Sequence, residues 1–150
     1  MSMSKMDPAN GQGWIGYQLK VTQHRLRQRL EAELAETGVS PSQNAVLLAI
    51  AENPRISNAA LARAAFVTPQ SMQGMLVTLE RDGFIVRTPH PRHGRIIMTE
   101  LTDAGRAAAQ AGMIAAETVE REMLADLSVG EAKMLGELLR RCADALRERK

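Results

Sequence analysis

From Thr68 to Thr78 the chain carries Thr68, Gln70, Ser71 and Gln73 and no charged residue. Short or planar polar side chains on the first two turns of a helix reach base edges in a major groove without pushing the backbone away. Each glutamine suits a paired hydrogen bond to adenine, and Thr68 and Ser71 suit a phosphate or a base edge. A second cluster follows, because Gly83 to Thr99 holds Arg87, Arg92 and Arg95 with His90 and His93 and contains neither Asp nor Glu. That makes a local cationic patch in a chain whose net charge is only +2. Arg95 is long, permanently charged and able to enter a narrow minor groove or straddle phosphates, with Arg92 assisting. Ser57 and Asn58, at the head of another helical stretch, can offer a phosphate their side chains and backbone N–H groups. The plainer alternatives are a solvated helix face for Gln and Ser, a guarded hairpin edge for the arginines, and simple capping for Ser57 and Asn58.

Other chemistries find little to work with. Three histidines at positions 24, 90 and 93, a single cysteine and no Gly-rich strand-to-helix turn provide no nucleophile with a base, phosphate loop or standard metal spacing. Neither catalysis, a metal nor a cofactor is expected. Cys142 cannot form an internal disulfide, fits a reducing compartment, and falls on an apolar stripe where a buried, inert thiol is expected. No apolar run approaches the roughly 18 residues that span a bilayer, so a cytoplasmic protein without membrane contact is expected. The aromatics are Trp14, Tyr17, Phe66 and Phe84, too few for a base-stacking RNA platform, and two of them are expected in the core. Trp14 and Tyr17, with His24 further along the same helix, are candidates to line a pocket for a small aromatic or anionic effector; packing in a core or interface is the alternative.

The elements that must position these groups are mostly helical. Hydrophobic residues make up 45% of the chain and aromatics only 3%, which favours a core of Leu, Ile, Val, Met and Ala. Residues 1–13 are polar and Gly/Pro-containing and read as a flexible arm. From Trp14, the spacing of Ile15, Leu19, Thr22, Leu26, Leu30 and Leu34 marks one apolar stripe on a first helix that ends at Thr37-Gly38. Ser40-Pro41-Ser42-Gln43 is a capping box with Pro in the first turn, opening a second helix that Asn53-Pro54 stops. Ser57 caps a third, Phe66-Val67 makes a brief turn, and Thr68-Pro69 opens a fourth with Met72, Met75, Leu76 and Leu79 inward. Asp82-Gly83 closes it. Two helices so joined make a helix-turn-helix. Phe84-Ile85-Val86 and Ile96-Ile97-Met98, separated by Arg87 to Arg95, read as a hairpin, hence a wing. Thr102-Asp103 begins a fifth helix running to about Asp126, and the box Ser128-Val129-Gly130-Glu131 begins a sixth bearing Met134, Leu135, Leu138, Leu139, Cys142 and Leu146. Together with the first helix these offer more apolar stripe than one small domain covers, so a homodimer built from both chain ends is expected.

Leu61-Ala62, then Thr68 to Leu79 running into Glu80-Arg81-Asp82-Gly83-Phe84-Ile85, then His93-Gly94-Arg95, then Leu101-Thr102-Asp103-Ala104-Gly105-Arg106 form an ordered set. In that order and spacing it resembles the MarR family of bacterial regulators, over roughly Trp14 to Arg149. The resemblance implies a mainly α fold with a small β-hairpin (α+β), a winged helix-turn-helix at about 40–101 inside a single domain 14–150, with dimerisation helices at about 14–37 and 102–149. It also implies a repressor whose homodimer grips successive major grooves of a near-palindromic operator in double-stranded DNA and is released by a small ligand. A winged module that binds only proteins is the alternative. Two positions depart from the family's usual pattern: His93 stands where the wing carries Asp two residues before its Arg, and Gly74 where the recognition helix often has Arg. The first removes the usual brace of the wing tip, and the second changes which base the helix reads.

Overall fold

The computed structural model describes residues 15–147, so the arm and Trp14 lie outside the described residues. Six helices and one two-stranded sheet follow in the order α1 (Ile15–Leu34), α2 (Pro41–Glu52), α3 (Asn58–Ala64), α4 (Pro69–Arg81), β1 (Ile85–Pro89), β2 (Ile97–Leu101), α5 (Asp103–Met123) and α6 (Val129–Ala145). The helix starts are encoded locally. Ser40 Oγ accepts from Gln43 N–H while Gln43 Oε1 accepts from Ser40 N–H, and Ser128 with Glu131 repeats the reciprocal pair. The Ser128 N–H and hydroxyl hold the Glu131 carboxyl below the usual carboxylate range. Gly83 after α4 takes φ +84°, the left-handed conformation that a residue without Cβ adopts freely.

Val46, Leu47 and Ile50 of α2, Leu61 and Ala62 of α3, and Met72, Leu76 and Leu79 of α4 form the core with Val39, Ile85, Ala108 and Ala109. α3 therefore packs on α2 and α4 on α3 and β1, and α5 lies across α2 and α1. Arg29 of α1 reaches Glu122 of α5 at 2.9 Å and Glu33 at 2.7 Å, which holds the Glu122 carboxyl below its usual range. Among the described residues no helix is long and apolar enough to cross a membrane, and no group of three or more His, Cys, Asp or Glu is placed to hold a metal ion.

Two expectations are corrected. The wing strands are longer than their apolar runs: β1 pairs antiparallel with β2 from Ile85↔Leu101 to Pro89↔Ile97, so Arg87, Thr88 and Pro89 belong to the ladder and the tip is short. Backbone pairing across the hairpin, rather than side-chain hydropathy, decides its extent, and Pro89 is tolerated because each strand has a free edge. Cys142 is exposed, not buried. The reason is that α6 buries none of its residues within the chain, so its entire apolar stripe faces outward.

Candidate nucleic-acid interface

Burial divides α4 cleanly. Met72, Leu76 and Leu79 point into the core, which by the helical period turns Gln70, Gln73, Gly74 and Val77 outward, all exposed. At its head Thr68 Oγ1 accepts from Ser71 N–H at 3.1 Å and lies 3.0 Å from Ser71 Oγ. Thr68 and Ser71 therefore build the helix N-terminus first, with their exposed hydroxyls retaining hydrogen-bonding capacity for a phosphate or base.

The wing is latched to this face. Arg87 on β1 donates from its backbone N–H to Glu80 Oε2 at 3.0 Å, and its Nη2 donates to Gln73 Oε1 at 3.4 Å. The Arg87 Nε is buried without a partner. Residue spacing assigns Arg87 only to the cationic patch, because this contact bridges 14 residues and leaves no local signal. The consequence is chemical. With the Gln73 oxygen turned to a guanidinium, its two amide N–H donors are the groups left unengaged among the described hydrogen bonds, a set that matches acceptor edges and lacks the acceptor of the paired match to adenine. Gln70 has no such tether among the described hydrogen bonds, so its amide oxygen and N–H groups are all unengaged there.

At the wing tip, His90 Nδ1 accepts from the N–H groups of Arg92 at 3.0 Å and His93 at 3.2 Å, and the rings of His90 and His93 lie 5.2 Å apart. His90 thus braces the tip where the usual acid is replaced by His93. Arg92 and Arg95 are exposed and, among the described residues, paired with no carboxylate. Ser57 Oγ accepts from Ala60 N–H at 3.1 Å and so is used as a cap of the seven-residue α3, while Asn58 is exposed beside it.

The residues named for an effector are not gathered. Tyr17 and His24 are exposed on α1. A cleft of about 430 Å³ between α1 and α5 is instead lined by Gln18, Thr22, Arg25, Arg29, Glu122 and Met123 among others, on the adjoining face of α1.

The Arg87–Gln73 contact makes a measurable claim. Arg87→Met and Gln73→Ala are each expected to reduce discrimination between matched and mismatched duplexes at the same base pair by about 1 kcal/mol, and the double variant by little more than either. Additive losses in a binding-based double-mutant cycle would show that the two side chains act independently.

Comparison with known proteins places this geometry. A model of the MarR family matches residues 37–96. The HTH-type transcriptional repressor Rv2887 of Mycobacterium tuberculosis is 30% identical over 125 residues, covering 83% of this chain and 90% of that protein. The chain belongs to the MarR family. The same architecture recurs in a probable transcriptional regulator from Pseudomonas aeruginosa, 30% identical with a TM-score of 0.76 over 85% of this chain and 96% of that one. Rv2887 itself, solved in complex with salicylic acid, superposes with a TM-score of 0.70 at 29% identity over 87% of this chain and 96% of its own. It has also been solved in complex with DNA. As a MarR family member the chain is a DNA-binding transcriptional regulator with a winged helix-turn-helix, made by its α3–turn–α4 unit and β1–β2 hairpin.

Proposed function

We propose that the chain is a repressor that binds a near-palindromic operator as a homodimer, with no catalytic step, in the cytoplasm. Residues 14–150 act as one domain, in which the winged portion at about 40–101 is carried on dimerisation helices at about 14–37 and 102–149. The observation that carries this reading is the uncharged, outward face of α4, with Gln70 and Gln73 exposed beside a wing whose Arg92 and Arg95 have no acidic partner among the described residues. In a major groove, Gln70 and Gln73 read base edges, while Thr68, Ser71 and Asn58 contact phosphates, with Ser57 holding the backbone of α3 in place. Arg95 takes a narrow minor groove or the flanking phosphates, and Arg92 adds to it.

A small aromatic or anionic effector would release the DNA; a related chain, Rv2887, has been solved in complex with one such molecule, salicylic acid. Its place here is beside Tyr17 and His24 of α1, next to the α1–α5 cleft where Arg25 supplies positive charge.

Selection of bound duplexes from a randomised pool, followed by titration at several salt concentrations, tests the assignment. Arg95→Ala is expected to weaken matched and random duplexes alike and to reduce the salt slope by about 1, whereas Gln70→Ala costs about 1–3 kcal/mol on the matched duplex only. Equal losses on both duplexes for Gln70→Ala would contradict its role, and binding to random duplex without salt dependence would point to a protein-only module.

A further inference from the structure

Phe66 lies in the turn between α3 and α4, two residues before the Thr68 cap. It is 96% exposed, and its φ of +55° makes it the only non-glycine residue in the left-handed region among those described. Both features are costly. A side chain with a Cβ loses about 1–2 kcal/mol in that conformation, and a bare aromatic ring in water forgoes the burial that would stabilise the fold. Glycine would fill the same turn with neither penalty. Nothing among the described residues recovers the cost, because the backbone alone makes the turn: Phe66 N–H donates to Arg63 O at 3.2 Å and Val67 N–H to Ala62 O at 3.0 Å.

We infer that Phe66 is a DNA-contacting residue whose ring packs on the wall of the major groove, against deoxyribose or a thymine methyl. The inference rests on the proposed operator binding and adds an apolar contact to it. Two residues span at most about 7 Å, less than the roughly 12 Å width of a major groove, so a ring on Phe66 is held at the groove edge whenever the head of α4 enters. Apolar contact with the thymine methyl is an established mode of readout. The setting points to DNA rather than to a second protomer: α3 packs on α2 and α4, and α4 on α3 and β1, whereas the exposed apolar stripe is on α6.

The test uses the full chain, with wild type, Phe66→Gly and Phe66→Tyr compared by fluorescence anisotropy on a duplex recovered by selection and on a random duplex, and by thermal melting. Phe66→Gly is expected to melt at or above the wild-type temperature while binding the selected duplex roughly five- to tenfold more weakly, as loss of about half a buried aromatic ring would give. Phe66→Tyr keeps the ring and is expected to bind within about twofold of wild type. Unchanged affinity in Phe66→Gly overturns the inference while leaving operator binding intact. So does a lowered melting temperature, which would assign the ring to the fold, or unchanged affinity with altered self-association, which would assign it to a protein contact. A folded wild type that binds no duplex overturns both readings together.

Discussion

Leu138→Glu is expected to give a folded monomer whose affinity for a selected operator falls by about 10²- to 10⁴-fold, the range that separates two linked binding events from one. The site lies midway along α6, where Met134, Leu135, Leu138 and Leu139 remain 38–57% exposed and the helix buries no residue at all. In an isolated protomer, glutamate at 138 therefore meets water and costs the fold little. Opposite a second copy it would place a charge in an apolar interface, and an unpaired buried charge costs several kcal/mol. Lys133→Gln, about 140° around the same helix, changes the charge by the same amount off the stripe and is expected to remain dimeric. Light scattering, far-ultraviolet circular dichroism and operator titration distinguish the outcomes. A Leu138→Glu protein that stays dimeric would move the interface away from α6, and one that unfolds would show that the protomer has no independent stability.

This stripe also illustrates how far residue patterns carry. The recurrence of Met134, Leu135, Leu138, Leu139 and Cys142 identifies an amphipathic helix, because a 3.6-residue period needs only neighbours to be seen. Whether the covering surface comes from the same chain is a question of surplus area, and Cys142 was accordingly expected to be buried where the protomer leaves it exposed. Helix starts were legible for a similar reason. Ser40 with Gln43 and Ser128 with Glu131 close their hydrogen bonds within three residues, so composition and geometry coincide.

The recognition face was legible in outline but not in its wiring. Alternation of Met72, Leu76 and Leu79 with Gln70 and Gln73 orients α4 without any knowledge of the wing. The Arg87 guanidinium reaches Gln73 only because the hairpin folds back over the helix, and the His90 brace depends on a turn closed by His90 N–H to Ile96 O at 2.8 Å. Tertiary contacts of that kind have no signature in spacing. Phe66 is the reverse case: an aromatic residue is ordinarily assigned to a core, and a left-handed φ at a phenylalanine is not encoded by any turn motif.

Gly105→Ala is expected to destabilise the protein by about 3 kcal/mol and to lower its melting temperature by roughly 6–12 °C. A Cβ at 105 would lie 1.9 Å from the carbonyl oxygen of Phe84 and 3.0 Å from its carbon. That carbonyl has little room to move, since it already accepts from Thr102 N–H at 3.1 Å, while Thr102 Oγ1 donates to Gly83 O at 2.6 Å and accepts from Gly105 N–H at 3.0 Å. The first turn of α5 is thus bolted to the end of α4 and the entry of the hairpin, which gives a physical reason for Thr and Gly in the segment Leu101 to Arg106. Gly136→Ala supplies the contrast, because nothing lies within 4 Å of a Cβ there and removing glycine from a helix interior is expected to stabilise by about 0.5–1 kcal/mol. The same chemical change should therefore move the melting temperature in opposite directions at the two sites. Since the Gly105 junction also sets the angle between the wing and the helices that carry dimerisation, the surviving folded fraction of Gly105→Ala should bind operator more weakly than its stability alone predicts. A melting temperature within about 1 °C of wild type would mean that α5 can slide off the hairpin at negligible cost, and the wing would then have no fixed bearing on the dimer.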